Sequence, residues 1–219
     1  MTSDRRRLLM AIRGATTPPP PLPPGYTALK YVENPLGNSA YVNTGILTGN
    51  NIGFYIDALS YDEFSSGDPI TFGCLFGGRY GSNSSDFQLS TFTAENHSTW
   101  HGTLRRGTSS QNYNAYLPYQ TRFQASLSGT TYTINGDQYT TATNITSTRQ
   151  RNIYLFALNN ANSVEQNGHA RVYRFWLTNN GTKVIDYYPC KDSNEVVGFY
   201  DLVNEVFVPP TSGTFTGVL

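Results

Sequence analysis

Two antiparallel β-sheets packed face to face, with no helix in the main body, is the architecture this sequence predicts. Three observations carry the prediction. Short runs rich in Thr, Tyr, Val, Ile and Phe recur roughly every 8–15 residues, the spacing of all-β folds. Asn135-Gly136-Asp137 and Asn179-Asn180-Gly181 separate alternating runs, and Asn-Gly is the strongest short hairpin signal because both central residues must adopt positive φ. Aromatic residues make up 14% of the chain, and charged residues also only 14%, well below the usual quarter. Thr, Ser, Asn and Gly fill the difference, as polar but uncharged outer faces require.

Residues 1–14 predict a short amphipathic helix. Thr2 or Ser3 can cap its start, Leu8, Leu9 and Ile12 share one face, and Gly14 offers a stop. A helix of about ten residues is marginal alone in water and orders against a partner. Arg5, Arg6, Arg7 and Arg13 against Asp4 give this arm a charge of +4 − 1 = +3, and the remainder, with 15 − 4 = 11 basic and 15 − 1 = 14 acidic residues, carries −3. A basic arm on a mildly acidic body is suited to docking on an acidic or apolar groove, with the leucines and Ile12 as anchors. The acidic body disfavours nucleic acid as the partner.

Residues 15–24 contain six prolines in the seven positions from Pro18 to Pro24. Proline at this density imposes polyproline II and predicts a stiff spacer of roughly 25–30 Å. The body, residues 25–219, then predicts strands at Thr27–Val32, Tyr41–Thr44, Ile52–Tyr61, Thr71–Gly77, Phe87–Thr93, Thr99–Arg106, Tyr119–Leu127, Thr130–Ile134, Gln138–Thr143, Ile153–Leu158, Ala170–Thr178, Lys183–Pro189, Val197–Asp201 and Val206–Pro209. Cys74 lies in an apolar run and Cys190 follows Pro189, and with two cysteines and no secretion signal both read as free core thiols. No run approaches the length of a membrane-spanning helix, and the expected site of folding is a cytoplasm.

The two ends of the body carry a resemblance. Gly25-Tyr-Thr-Ala-Leu-Lys-Tyr-Val-Glu33 precedes Ala40-Tyr-Val-Asn-Thr-Gly45. Near the other end, an alternating strand and an Asn-Gly turn lead into Asp186-Tyr-Tyr-Pro-Cys190, then Val197-Gly-Phe-Tyr-Asp-Leu-Val-Asn204 and Gly213-Thr-Phe-Thr-Gly217. These segments resemble the concanavalin A-like (laminin-G-like) jelly-roll domains of surface and virion proteins in gut bacteria and their phages. The resemblance implies a two-layer antiparallel jelly roll over residues 25–219, in which Phe175, Trp176, Phe199, Tyr200 and Phe207 fall at core positions, at least half of them packing. The order of basic helix, proline linker and jelly roll also resembles phage appendage proteins of the head-fibre or decoration type. It implies attachment through the arm to a capsid, collar or tail protein, display on the virion exterior after assembly in the bacterial cytoplasm, and an oligomer, a trimer being the expectation.

Enzymes on this sandwich place a close pair of carboxylates on one strand, one protonated and one ionised. No such triplet occurs here: Asp62 and Glu63 are adjacent and so point to opposite faces, Asp57 is the nearest other acid, and Asp192, Glu195 and Asp201 are expected in loops. No Gly-x-Ser-x-Gly is present, and His97, His101 and His169 have no partner motif. His97 and His101 on one strand would stand about 13 Å apart, too far to share a zinc ion. No calcium cluster is readable around Asp68 or Asp86. The expectation is therefore a protein that is not an enzyme and uses no cofactor. Glycan contact is the functional alternative: Asn96, His97, Trp100, Tyr113, Asn114 and Tyr116, expected in central loops, supply the exposed aromatics and amides that lectins use, although the tyrosines could equally cover a strand edge. That reading makes the chain an adhesin of a phage tail or bacterial surface, with a glycoside hydrolase as the more remote option.

Overall fold

The computed structural model describes residues 20–60, 73–81, 87–93, 100–107, 113–116, 121–141, 145 and 149–219. The arm at residues 1–14, the spacer up to Pro19, and Asp62, Glu63, Asp68, Asp86, Asn96 and His97 lie outside them. Among the described residues every element is a strand and no helix is long and apolar enough to cross a membrane.

The chain opens with β1 (Thr27–Ala28), β2 (Tyr31–Asn34), β3 (Val42–Leu47), β4 (Ile52–Ser60), β5 (Gly73–Arg79), β6 (Phe87–Thr93), β7 (Trp100–Arg106) and β8 (Tyr113–Tyr116). It continues with β9 (Phe123–Ser128), β10 (Thr131–Ile134), β11 (Asp137–Thr140), β12 (Asn152–Leu155), β13 (Leu158–Asn160) and β14 (Ser163–Glu165). It closes with β15 (Ala170–Asn179), β16 (Thr182–Lys191), β17 (Val197–Asp201), β18 (Val206–Val208) and β19 (Thr216–Val218). The larger sheet runs β11-β10-β9-β4-β15-β16-β17-β18, with β1, β2 and β19 joined to β16 and β15 at one end. The smaller runs β14-β13-β5-β6-β7-β8, with β3 and β12 alongside β5. Pairing is antiparallel except where β13 runs parallel to β5.

Aromatic rings from the two sheets meet in the middle. Phe54 of β4 lies 4.7 Å from Phe76 of β5, and Phe76 lies 5.3 Å from Phe175 of β15. Phe54, Phe76, Phe87 and Phe175 are essentially inaccessible. Along β4, Phe54, Ile56 and Ala58 point inward while Tyr55, Asp57 and Leu59 point out, the period of two that a half-exposed strand demands.

The two predicted Asn-Gly turns are present. Asn135 and Gly136 have φ of 50° and 93°, and Asn180 and Gly181 have φ of 50° and 79°, so each pair of central residues is left-handed. A third turn of the same kind, at Ala161 (φ 52°) and Asn162 (φ 75°), joins β13 to β14. Alanine gives no such signal in sequence, and this hairpin escaped prediction.

Several other expectations are corrected. The run Thr27–Val32 is two strands on different neighbours, β1 on β16 and β2 on β15 and β19. The run Ile153–Leu158 breaks at Phe156, whose φ of 67° turns the chain from antiparallel to parallel pairing with β5. Asp201 ends β17 and is buried rather than looped. Trp100 and Tyr113–Tyr116 lie in strands β7 and β8, not loops. Cys74 and Cys190 are separate buried thiols, one in each sheet, and burial pushes the Cys190 thiol up to about 12. Phe175, Phe199 and Tyr200 are buried, whereas Trp176 and Phe207 are only partly so.

Candidate ligand groove and the solvent face of the larger sheet

The outer face of the larger sheet carries the most chemistry, and a register shift in β15 makes it. Val172 pairs with Ala58 and Arg174 with Asp57, so Tyr173 is inserted between them. A bulge of this kind turns two consecutive side chains to one side. Tyr173 and Arg174 both face out, while Val172 and Phe175 both face the core.

Each carboxylate on this face is gripped. Asp57 takes Arg122 Nε at 2.6 Å and Nη2 at 2.8 Å, with Gln124 Nε2 at 3.1 Å. Asp186 takes Arg174 Nε at 2.8 Å and Nη2 at 2.9 Å, with Lys183 Nζ at 2.7 Å. Burial alone would raise the Asp186 carboxyl, but Arg174 and Lys183 outweigh it and hold it below its ordinary value. On the inner side of the sheet, Asp201, which pairs with the core residue Tyr187, accepts from the Asp186 and Val203 amides at 3.0 Å each and from Asn204 Nδ2 at 2.6 Å. These three acids are structural locks. A general acid must hold a proton at working pH, and Asp186 is biased against holding one.

The rings of this face are covered as well. Tyr55 and Trp176 stack with centroids 3.8 Å apart, and Lys183 Nζ sits 4.1 Å from the Trp176 ring. Arg122 lies 3.8 Å over Tyr173, and Arg171, paired with Glu33 at 2.9 Å, lies 4.8 Å over Tyr31. Sugars dock on aromatic faces, and these faces are occupied by protein cations. Burial, with Asp57 adding to it, pushes the Tyr55 hydroxyl up to about 12.

A concavity lies at one end of the sandwich instead. The end of β3, the β3–β4 connection and the start of β4, residues 45–52, curve past Gln150 and Asn179 and leave an open groove of about 380 Å³, within the range of roughly 300–1,000 Å³ typical of small-molecule sites. Its lining is Gly45 to Ile52 with those two amides, and none of the ten residues is ionisable. Asn51, Gln150 and Asn179 are exposed there, and Leu47 is 49% exposed. The loop is held from behind. Asn50 Nδ2 donates to Ile145 O at 3.0 Å and its Oδ1 accepts from Ile145 N at 3.0 Å, while Thr48 N donates to Arg151 O at 2.8 Å. A fixed backbone with neutral amides and a small apolar floor is suited to hydroxylated ligands.

No family model matches the chain, and no curated protein is similar to it. Among solved structures, a candidate carbohydrate-binding protein from Bacteroides ovatus resembles it with a TM-score of 0.46 at 7% identity, over 88% of this chain and 61% of that one. The chain therefore spans less than two thirds of that structure's length. A likeness of this degree carries nothing about ligand or reaction.

The glycan-contact candidates are only partly located. Tyr113 pairs with Leu104, Asn114 with Thr103 and Tyr116 with His101 in the edge strand β8 of the smaller sheet, while Trp100, at the start of β7, pairs with Thr93 of β6. Among the described residues no group of three or more His, Cys, Asp or Glu is placed to hold a metal ion. The groove residues drew no notice in sequence. The glycine-bracketed, uncharged run Thr44-Gly-Ile-Leu-Thr-Gly-Asn-Asn51 was a weak signal for a binding loop, but nothing there shows that Gln150 and Asn179 join it.

Proposed function

We propose that this chain is a non-catalytic, glycan-binding jelly roll of the concanavalin A-like type, displayed on the exterior of a phage particle and anchored there by its N-terminal arm. The observation that carries the glycan reading is the groove at the end of the sandwich, concave, uncharged in its lining and edged by the amides of Asn51, Gln150 and Asn179. Amides and backbone groups match sugar hydroxyls, and Ile46 and Leu47 offer apolar surface to a ring's carbon face. The gripped state of Asp57, Asp186 and Asp201 supports a binding role over a hydrolytic one among the described residues.

The display reading is supported by the order of arm, proline spacer and sandwich. It gains support from the place where the spacer meets the body. Tyr26 packs 5.1 Å from Tyr200 and 5.6 Å from Phe207, and its amide donates to Pro23 O at 3.3 Å. A pinned exit lets a stiff spacer set the stance of the domain. The candidates Trp100, Tyr113, Asn114 and Tyr116, in β7 and β8, form a second proposed contact region; Asn96 and His97, which belong to the same reading, lie outside the described residues.

Two experiments test this. A glycan array probed with the full chain and with Gly49→Trp tests the groove. A Cβ at Gly49 meets Gln150 Nε2 at 3.4 Å and Ile52 Cγ1 at 3.9 Å, so the indole fills the groove without strain at its base. Loss of the array signal in Gly49→Trp is expected; unchanged signal removes the groove from the account. Cosedimentation with stripped particles tests the arm: a chain carrying Leu8→Asp, Leu9→Asp and Ile12→Asp should stay in the supernatant while the unaltered chain pellets. Equal pelleting would place the contact in the body.

A further inference from the structure

The groove lining is neutral, but the charges just behind it are not balanced. Arg106, the last residue of β7, is only 5% exposed. It crosses between the sheets, donating Nη1 to Gly129 O and Nη2 to Asn50 O, and its Nε has no acceptor. Carbonyls satisfy N–H groups but leave a unit charge uncancelled, and no carboxylate is paired with this guanidinium among the described residues. Asn50 is part of the groove, so a buried cation stands one carbonyl behind the groove wall.

A second arginine without a carboxylate partner among the described residues is bonded to the groove loop. Arg151 exchanges backbone bonds with Thr48, through Thr48 N to Arg151 O at 2.8 Å and Arg151 N to Thr48 Oγ1 at 3.2 Å. Its Nη1 donates to Gln150 O at 2.8 Å, its Nε lacks an acceptor, and its guanidinium rests 4.5 Å from the Tyr80 ring centroid. Thr48 and Gln150 both line the groove. Elsewhere the pattern is different: Arg79, Arg122, Arg171 and Arg174 each grip a carboxylate. Two cations with no carboxylate partner among the described residues, set beside an open groove of neutral lining, bias the potential there toward positive.

We propose that the groove selects acidic glycans, seating a sugar carboxylate or sulfate ester in the field of Arg106 and Arg151 while the amides of Asn51, Gln150 and Asn179 take the hydroxyls. This rests on the glycan-binding reading of the same groove. A bare inorganic anion would leave the amides and the exposed Leu47 unused, which is why the ligand is a sugar.

The test measures binding of the full chain to three probes by calorimetry at low and high salt: an oligogalacturonate, which carries carboxylates alone, a carrageenan oligosaccharide, which carries sulfate esters alone, and a neutral malto-oligosaccharide. The acidic probes should bind more tightly than the neutral one and weaken with salt, and whichever of the two binds better identifies carboxylate or sulfate as the group seated. Gln150→Glu, an exposed position whose change leaves the fold intact, should weaken acidic binding by about tenfold, as one unit charge near a surface site does. Arg151→Gln should act in the same direction. Equal affinity for acidic and neutral probes, unaltered by Gln150→Glu, overturns the charge selection and leaves the glycan reading standing. Acidic binding that survives Gln150→Glu places the anion on the arginine-rich arm and overturns the groove assignment. Silence toward every glycan on the array removes the reading beneath both.

Discussion

Tyr55 and Trp176 stand directly opposite each other on β4 and β15, their ring centroids 3.8 Å apart and their planes within 9°. The pair occupies the solvent side of the two strands that share the longest register in the larger sheet, and Lys183 closes the other indole face. Trp176→Ala should cost about 2 kcal/mol in urea unfolding, from lost burial together with the 0.5–1.5 kcal/mol that a ring pair adds. Tyr55→Phe keeps the stack and should be near neutral. Equal losses in the two variants would mean that the Tyr55 hydroxyl, not the stack, matters.

The Asp186 lock predicts an acid-labile sandwich. Its carboxyl is held below the ordinary value by Arg174 and Lys183 in the folded state. A depressed folded pKa contributes stability that is present above the unfolded pKa and is lost as pH falls through the folded one. Stability should therefore decline as pH drops below the ordinary aspartate value of 3.8, and Asp186→Asn should flatten that decline while lowering stability at neutral pH. Arg174→Met, which leaves a carboxylate with 6% side-chain exposure short of its main partner, should cost about 3 kcal/mol. A parallel pH curve for Asp186→Asn and the unaltered chain would disprove the lock.

Arg106 ties the sheets through two carbonyls that diverge from one guanidinium. Arg106→Lys should not rescue the tie, because an ammonium on a flexible stem lacks the planar fork. Both Arg106→Lys and Arg106→Met should lose about 2–4 kcal/mol, with the two buried carbonyls left wanting donors in the methionine variant. Full stability in Arg106→Lys would show that charge alone suffices.

Tyr132 makes the opposite case. It is fully buried beside Phe54, burial drives its hydroxyl far above the ordinary tyrosine value, and that oxygen has no hydrogen-bond partner among the described residues. Tyr132→Phe should raise stability by about 1 kcal/mol by removing an unsatisfied polar group without changing shape. A drop in the unfolding midpoint would reveal a partner for the hydroxyl.

Local chemistry accounts for what was legible in the sequence. Asn135-Gly136 and Asn180-Gly181 announce their turns because left-handed residues are tolerated by few side chains, and alternation along Phe54, Ile56 and Ala58 announces a core face. The hairpin at Ala161-Asn162 gave no such notice, since tertiary contacts hold an alanine at φ 52° against its preference. Edge strand β8 was hidden by the polar, aromatic run Gln111–Tyr119, which reads equally as loop or strand when one face alone is packed.

The candidate site was less legible still. Thr48, Gln150 and Asn179 are brought together by β3 and β12 of the smaller sheet and β15 of the larger, segments far apart in the chain. By itself, the sequence determined a β architecture, its two Asn-Gly turns, its aromatic core and a basic arm ahead of a proline spacer, because these follow from side-chain period and backbone preference within a few residues. Only the tertiary structure decided that a bulge at Tyr173 turns two side chains outward, that Asp57 and Asp186 are locked by arginines on other strands or turns, and that two arginines without a carboxylate partner among the described residues stand behind a neutral groove. Pairing between distant strands sets those relationships, and the register of a strand against its neighbour leaves no trace in the order of its own residues.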